Sequence, residues 1–170
     1  MTAQTLVTPA FVSTMATYNT AMNKRLYSAA ARLSDSDRRS PRGAFWGSIH
    51  GTLNHLLWAD RMWMSRFDGW EKPAVSQAES AALEPDFQTL RQARIDADTR
   101  IRAWAASVDD AWLAGDLTWY SGSIQRDTTM PTSFLIVHFF NHQTHHRGQT
   151  HALITAAGEK TGDTDLFLIL

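Results

Sequence analysis

An all-α, four-helix bundle with long connections is the fold class this sequence predicts, with a short hairpin ahead of the last helix. Three observations predict it. Apolar residues recur at three- and four-residue spacing in four separate segments, Pro, Gly, Ser and Asp gather between those segments, and no long run alternates apolar with polar residues as a strand would. One domain over residues 1–170 is expected: this length can bury a core without staples, and 44% hydrophobic residues with seven Trp and eight Phe supply the apolar area.

The first segment runs from about Thr8 to Leu33, with Phe11, Met15, Tyr18, Met22 and Leu26 along one face, and Ser34, Asp35 and Ser36 close it. The second runs from about Ala44 to Phe67. Its apolar stripe is Ile49, Leu53, Leu56, Leu57 and Trp63, with His55 beside it, and Gly69 and Pro73 end it. Pro85 and Asp86 form the entry to the third, which reaches about Val108 with Leu90, Ala93, Ala97, Ile101 and Trp104 turned inward. Leu117 to Met130 reads as the hairpin. The fourth helix starts near Thr132 or Ser133, just after Pro131, and continues to about Ala157, where Gly158 stops it. The tail, Asp163 to Leu170, is apolar enough to pack back on the bundle, and the long connections predict at least one crossover.

Composition excludes several functions. Sixteen Lys and Arg against seventeen Asp and Glu leave a net charge of -1, so there is no global field to draw in nucleic acid or an anionic membrane. The cluster Arg38, Arg39 and Arg42 reads as a solvated loop. With no cysteine, disulfides, thiolate metal sites and thiol nucleophiles are absent, so any metal must use nitrogen or oxygen. No basic residue precedes the apolar residues of the N-terminus and no run approaches the roughly 18 apolar residues of a spanning helix, so neither leader nor membrane anchor is expected and a cytoplasmic location follows.

Four of the seven histidines, His138, His142, His145 and His146, fall within nine residues. At about 100° per residue, His142 and His146 lie one turn apart on the face that also carries Leu135, Phe139, Gln149 and Leu153. A buried imidazole needs partners for two ring nitrogens, and two imidazoles one turn apart can converge on one cation. A third ligand should come from a facing helix, and His55, mid-helix like the pair, is the best candidate. Three histidines without a fourth protein ligand leave a position open for water or substrate, as catalytic metal sites do. His138, one turn before His142, competes with His146 on spacing alone. His50 reads as a surface position, and His151 points to nearly the opposite side.

Tyr18-Asn19 in the first helix, Ser48 through Leu57 with Asp60 and Trp63 in the second, and Phe140 through Gln149 in the fourth resemble the DinB-like (DinB/YfiT) metalloenzyme family. The resemblance covers nearly the whole chain, including Asp163 and Asp165 of the tail. It implies a four-helix bundle holding one zinc or nickel ion through one histidine of the second helix and two of the fourth. Those positions are His55, His142 and His146 here, which decides against His138. The family's name carries no implication of DNA contact.

The resemblance further implies a metal-dependent enzyme acting on a small molecule. Relatives include isomerases and transferases that use an external low-molecular-weight thiol; a hydrolase that activates water is the other version. Tyr18, Trp58, Tyr120 and Asn141 are the expected pocket-lining or supporting residues, and a homodimer suits the exposed faces of a bundle. Two other readings stand beside the enzyme: a non-catalytic metal or ligand sensor, and a structural bundle whose histidines are hydrogen-bonded in the core.

Overall fold

The computed structural model describes residues 5–169, so the expectations for residues 1–4 and for Leu170 lie outside it. Four long helices form the bundle: α1 (Pro9–Ala30), α3 (Ile49–Phe67), α4 (Phe87–Ser107) and α6 (Thr132–Ala156). Two short helices, α2 (Asp35–Arg39) and α5 (Asp110–Leu113), and a 3-10 segment (Gln77–Ala82) occupy the connections. No helix among the described residues is long and apolar enough to cross a membrane.

Side-chain caps set where the helices begin. Thr8 Oγ1 accepts from Phe11 N at 3.2 Å and Pro9 follows at the first helical position, where its missing N–H costs nothing. Asp86 caps α4 by accepting from Thr89 N at 2.8 Å. The second long helix starts at Ile49, five residues later than the apolar pattern suggests. The reason is local: Gly47 has φ +78°, Ala44 and Gly47 pair as an isolated bridge, and Ser48 caps through its side chain onto Gly51 N.

Helices α1 and α3 each pack against both α4 and α6. They therefore stand at opposite corners of the bundle, and the chain crosses diagonally between α1 and α3 and again between α4 and α6. The second crossing carries the hairpin, β1 (Asp116–Ser121) against β2 (Arg126–Pro131), antiparallel with Asp116 opposite Pro131 and Ser121 opposite Arg126. The core is apolar and aromatic, with Leu53, Leu57, Met64, Leu90, Ile136 and Ile154 wholly buried and Phe67, Trp104 and Phe139 in mutual contact.

Two expectations about packing are corrected. On α1 Met22 and Leu26 are buried as expected, but the buried face begins Val12, Ala16, Asn19, one residue out of phase with Phe11 and Met15, and Phe11 packs on Phe140 at the rim and stays 36% exposed. The tail does not bury its apolar residues: Leu166, Phe167 and Leu168 are exposed, and the chain is held instead by its backbone. Tyr18 Oη donates to Thr164 O at 2.6 Å and Arg25 donates to Asp163 O.

Candidate metal centre

Helix α3 is buried on every side from Ile49 to Asp60, which brings its polar residues inside and obliges each to find a partner. His55 uses Nδ1 on Ser80 Oγ at 2.8 Å, so the 3-10 segment supplies its support. Across from it on α6, His146 Nδ1 lies 2.8 Å from Gln149 Oε1, and the Gln149 amide nitrogen lies 3.1 Å from His145 Nε2. With the amide nitrogen donating to His145, the Gln149 oxygen accepts from His146 Nδ1–H. Nε2 of a neutral His146 is then a bare lone pair.

That lone pair faces His142 Nε2 at 3.1 Å. The ring centroids of His55 lie 4.7 Å from His146 and 5.4 Å from His142, and one nitrogen from each of the three rings falls within 4.8 Å of the other two. Nitrogens bound at about 2.0–2.1 Å to a tetrahedral ion stand roughly 3.4 Å apart. The His142 and His146 nitrogens are already close to that separation, and nitrogen is the only donor type in the set. The residues present thus fit a divalent ion, and a proton shared between His142 and His146 is what the pair would use without one.

Burial holds all three imidazoles neutral. It pushes His55 down from 6.5 to about 3, with His146 adding to the fall, and His142 likewise to about 3, with His146, His55, His138 and His145 contributing. His146 is lowered by burial against the pull of Gln149. A sign follows for the metal-free protein. For His55 and His142, the unfolded chain takes up these protons near pH 6.5 and the folded chain only near 3, so the unfolded state binds more protons in between. Stability from these groups is complete above pH 6.5 and declines as pH falls toward 3. The urea midpoint of chelated protein should drop between pH 7 and pH 5, and a His55→Gln/His142→Gln variant should flatten that slope; a wild-type midpoint constant over the window would contradict the burial.

A model of the DinB family matches residues 1–169. The chain belongs to the DinB family. Its structure is similar to the crystal structure of a DinB-like protein from Bacillus cereus ATCC 10987, at 18% identity and a TM-score of 0.62, covering 85% of this chain and 91% of that one. At that identity the likeness concerns the fold. No curated protein matches the chain. Family membership and the three-histidine cluster are together compatible with metal binding.

Against this DinB-family fold, the other expected site residues divide. Trp58 is buried, stacks beside His55 at 5.9 Å and donates to Val75 O at 2.9 Å. Tyr18 is half-buried on α1 and ties down the tail. Tyr120 is 64% exposed on the hairpin and Asn141 is exposed on α6, so neither is enclosed in a pocket: Tyr120 lies on the outward side of an alternating strand, and Asn141 precedes His142 by about 100° of helix. His138 packs its edge on Trp63 at 5.0 Å, outside the cluster. His50, expected at the surface, is buried with Nε2 3.0 Å from Glu84 O, because α3 is enclosed on that side by the Glu84 connection.

Two residues of the site carried no signal strong enough to pick out. Trp46 lies face to face on His55, at 3.7 Å and 17° between planes. The turn that places it needs Gly51, because a Cβ there would come 2.2 Å from Trp46 O. Ser80 did have a signal nearby, since Ser76 and Glu79 form a capping box that announces the segment carrying it.

Proposed function

We propose that this protein is a metal-dependent enzyme acting on a small molecule, with His55, His142 and His146 holding one zinc or nickel ion and one coordination position left open. The observation that carries the reading is the meeting of three neutral imidazoles from two helices, with no carboxylate in the cluster among the described residues. A nitrogen-only set of this kind suits zinc or nickel. Bound there, the ion would supply Lewis acidity, and would lower the pKa of a water or an incoming thiol.

The chain's own residues do the positioning. Ser80 and Gln149 each fix one Nδ1, leaving Nε2 of His55 and His146 to face the centre. Trp46 and Trp58 flank His55 with aromatic surface, which fixes its ring and keeps water from that side. With no cysteine in the chain, a sulfur nucleophile would be brought in by an external low-molecular-weight thiol.

Elemental analysis of untagged protein tests the ion: about one zinc or nickel per chain is expected in the wild type and none in His142→Ala, and full occupancy in the variant would remove the assignment. Turnover assays of the metallated protein with glutathione-type thiols plus electrophiles, and separately with esters and amides, decide between transferase and hydrolase. Occupancy without turnover in either series would favour a sensor over an enzyme.

A further inference from the structure

Arg147 follows the ligand candidate His146 but projects from the other side of α6, about 140° round the helix from His142. It is 5% exposed, and no carboxylate lies within ion-pair distance of it among the described residues. Among the described residues its only side-chain hydrogen bond is a long one, Nη2 to Thr144 Oγ1 at 3.4 Å, and Nη1 is buried without a partner there. Asp60 and Asp98 favour its charge from a distance, but both carboxylates are engaged elsewhere, by Arg94, Gln143 and Asn23. Burial lowers the guanidinium to about 10, so it remains charged at neutral pH. A buried cation with a free donor is costly unless an anion meets it.

The cavity beside it has the matching character. Its volume is about 260 Å³, between α1, α6 and the segment after α6. The lining includes a second arginine, Arg25, together with His151 and three threonines, and contains no acidic residue. Tyr18 contributes its ring, 5.6 Å from the Arg147 guanidinium carbon, and Met22 and Leu26 give an apolar floor. Arg25 itself spends a donor on the neutral carbonyl of Asp163 and makes no ion pair among the described residues.

We infer that this cavity is a binding site for a small organic anion, whose carboxylate or phosphate group sits on Arg147 and whose apolar body rests on Met22 and Leu26. Arginine presents donors in a planar fork suited to either group, and a water-poor setting strengthens the contact. The site lies across α6 from the histidines and does not depend on the metal reading.

Calorimetric titration of the full chain with benzoate, phenyl phosphate and neutral benzamide tests it. Saturable one-to-one binding of an anion is expected, carboxylate or phosphate being told apart by which of the two binds, with benzamide silent. Arg147→Met should weaken binding at least about tenfold, the loss of a charge-assisted hydrogen bond. Gly148→Leu is the second arm: Gly148 lines the cavity, nothing lies within 4 Å of where its Cβ would be, and the larger side chain should fill the space and block binding without disturbing the helix. If Arg147→Met fails to fold, Gly148→Leu decides alone. Protein stripped of metal with phenanthroline, a neutral chelator, should bind the anion as before. Absence of saturable binding, or unchanged affinity in the variants, overturns the proposal. So does affinity lost on stripping but kept in Arg147→Met, which would place the anion on the metal and leave the metal reading standing.

Discussion

Replacing Asp60 by alanine should lower stability by about 3–5 kcal/mol, which for a chain of this length is roughly 6–20 °C in Tm. Asp60 is 1% exposed and lies where three helices meet: Arg94 Nη1 of α4 donates to Oδ2 at 2.6 Å, and Gln143 Nε2 of α6 donates to Oδ1 at 2.9 Å. The set extends to α1, because Arg94 Nη2 stands 2.8 Å from Asp98 Oδ1 and Asn23 donates to the same carboxylate at 3.0 Å. All four long helices are thus joined through one chain of polar side chains in the core.

The alanine variant would leave Arg94, 2% exposed, with Asp98 as its remaining carboxylate, and the cost comes from the buried Arg94 Nη1 and Gln143 Nε2 donors left without an acceptor more than from the lost attraction. The same reasoning gives a contrasting variant. Asp60→Leu with Arg94→Met removes that pair together but strands buried Asp98 without its cation and Gln143 without its acceptor, so it should recover only part of the loss. Chemical denaturation of the wild type, the single variant and the double variant measures this coupling; a single variant within about 0.5 kcal/mol of wild type, the ordinary range for surface changes, would show the network to be dispensable.

This network also shows what a single sequence can and cannot disclose. The third predicted helix agrees with α4 almost residue for residue, since Pro85 and Asp86 mark its start and its apolar spacing is regular. The hairpin and the start of α6 were legible for similar reasons, turn residues followed by Pro131. Asp60, Arg94 and Gln143 are 34 and 83 residues apart in the pairs they form, and no local pattern reports such a contact. Periodicity itself misleads where burial is complete: α3 hides polar and apolar residues alike, so His50 looks like a surface position and is not. Arg147 lies within the singled-out Phe140–Gln149 stretch, but no local pattern shows that this charged residue is buried. The histidine cluster was legible because two of its members share a helix face and the third sits at mid-helix, whereas Trp46 depends on a turn shaped by Gly47 and Gly51.

If the histidine cluster holds an ion as proposed, stripping it should lower the Tm of the wild type by roughly 5–10 °C. An ion that binds only the folded chain stabilises it by about 3 kcal/mol when its free concentration is about a hundredfold above Kd, and each kcal/mol is worth a few degrees at this chain length. The structure gives the folded state this advantage, because His55 reaches the cluster from α3 while His142 and His146 come from α6, so the three nitrogens assemble only when those helices pack. His55→Ala should therefore show the same Tm with and without phenanthroline, since two nitrogens from one helix hold an ion too weakly to add measurable stability. His138→Ala should respond like the wild type, because His138 rests on Trp63 outside the cluster. A wild-type Tm indifferent to the chelator, in protein shown to carry the ion beforehand, would mean that the histidines serve the core through their hydrogen bonds to Ser80 and Gln149 alone.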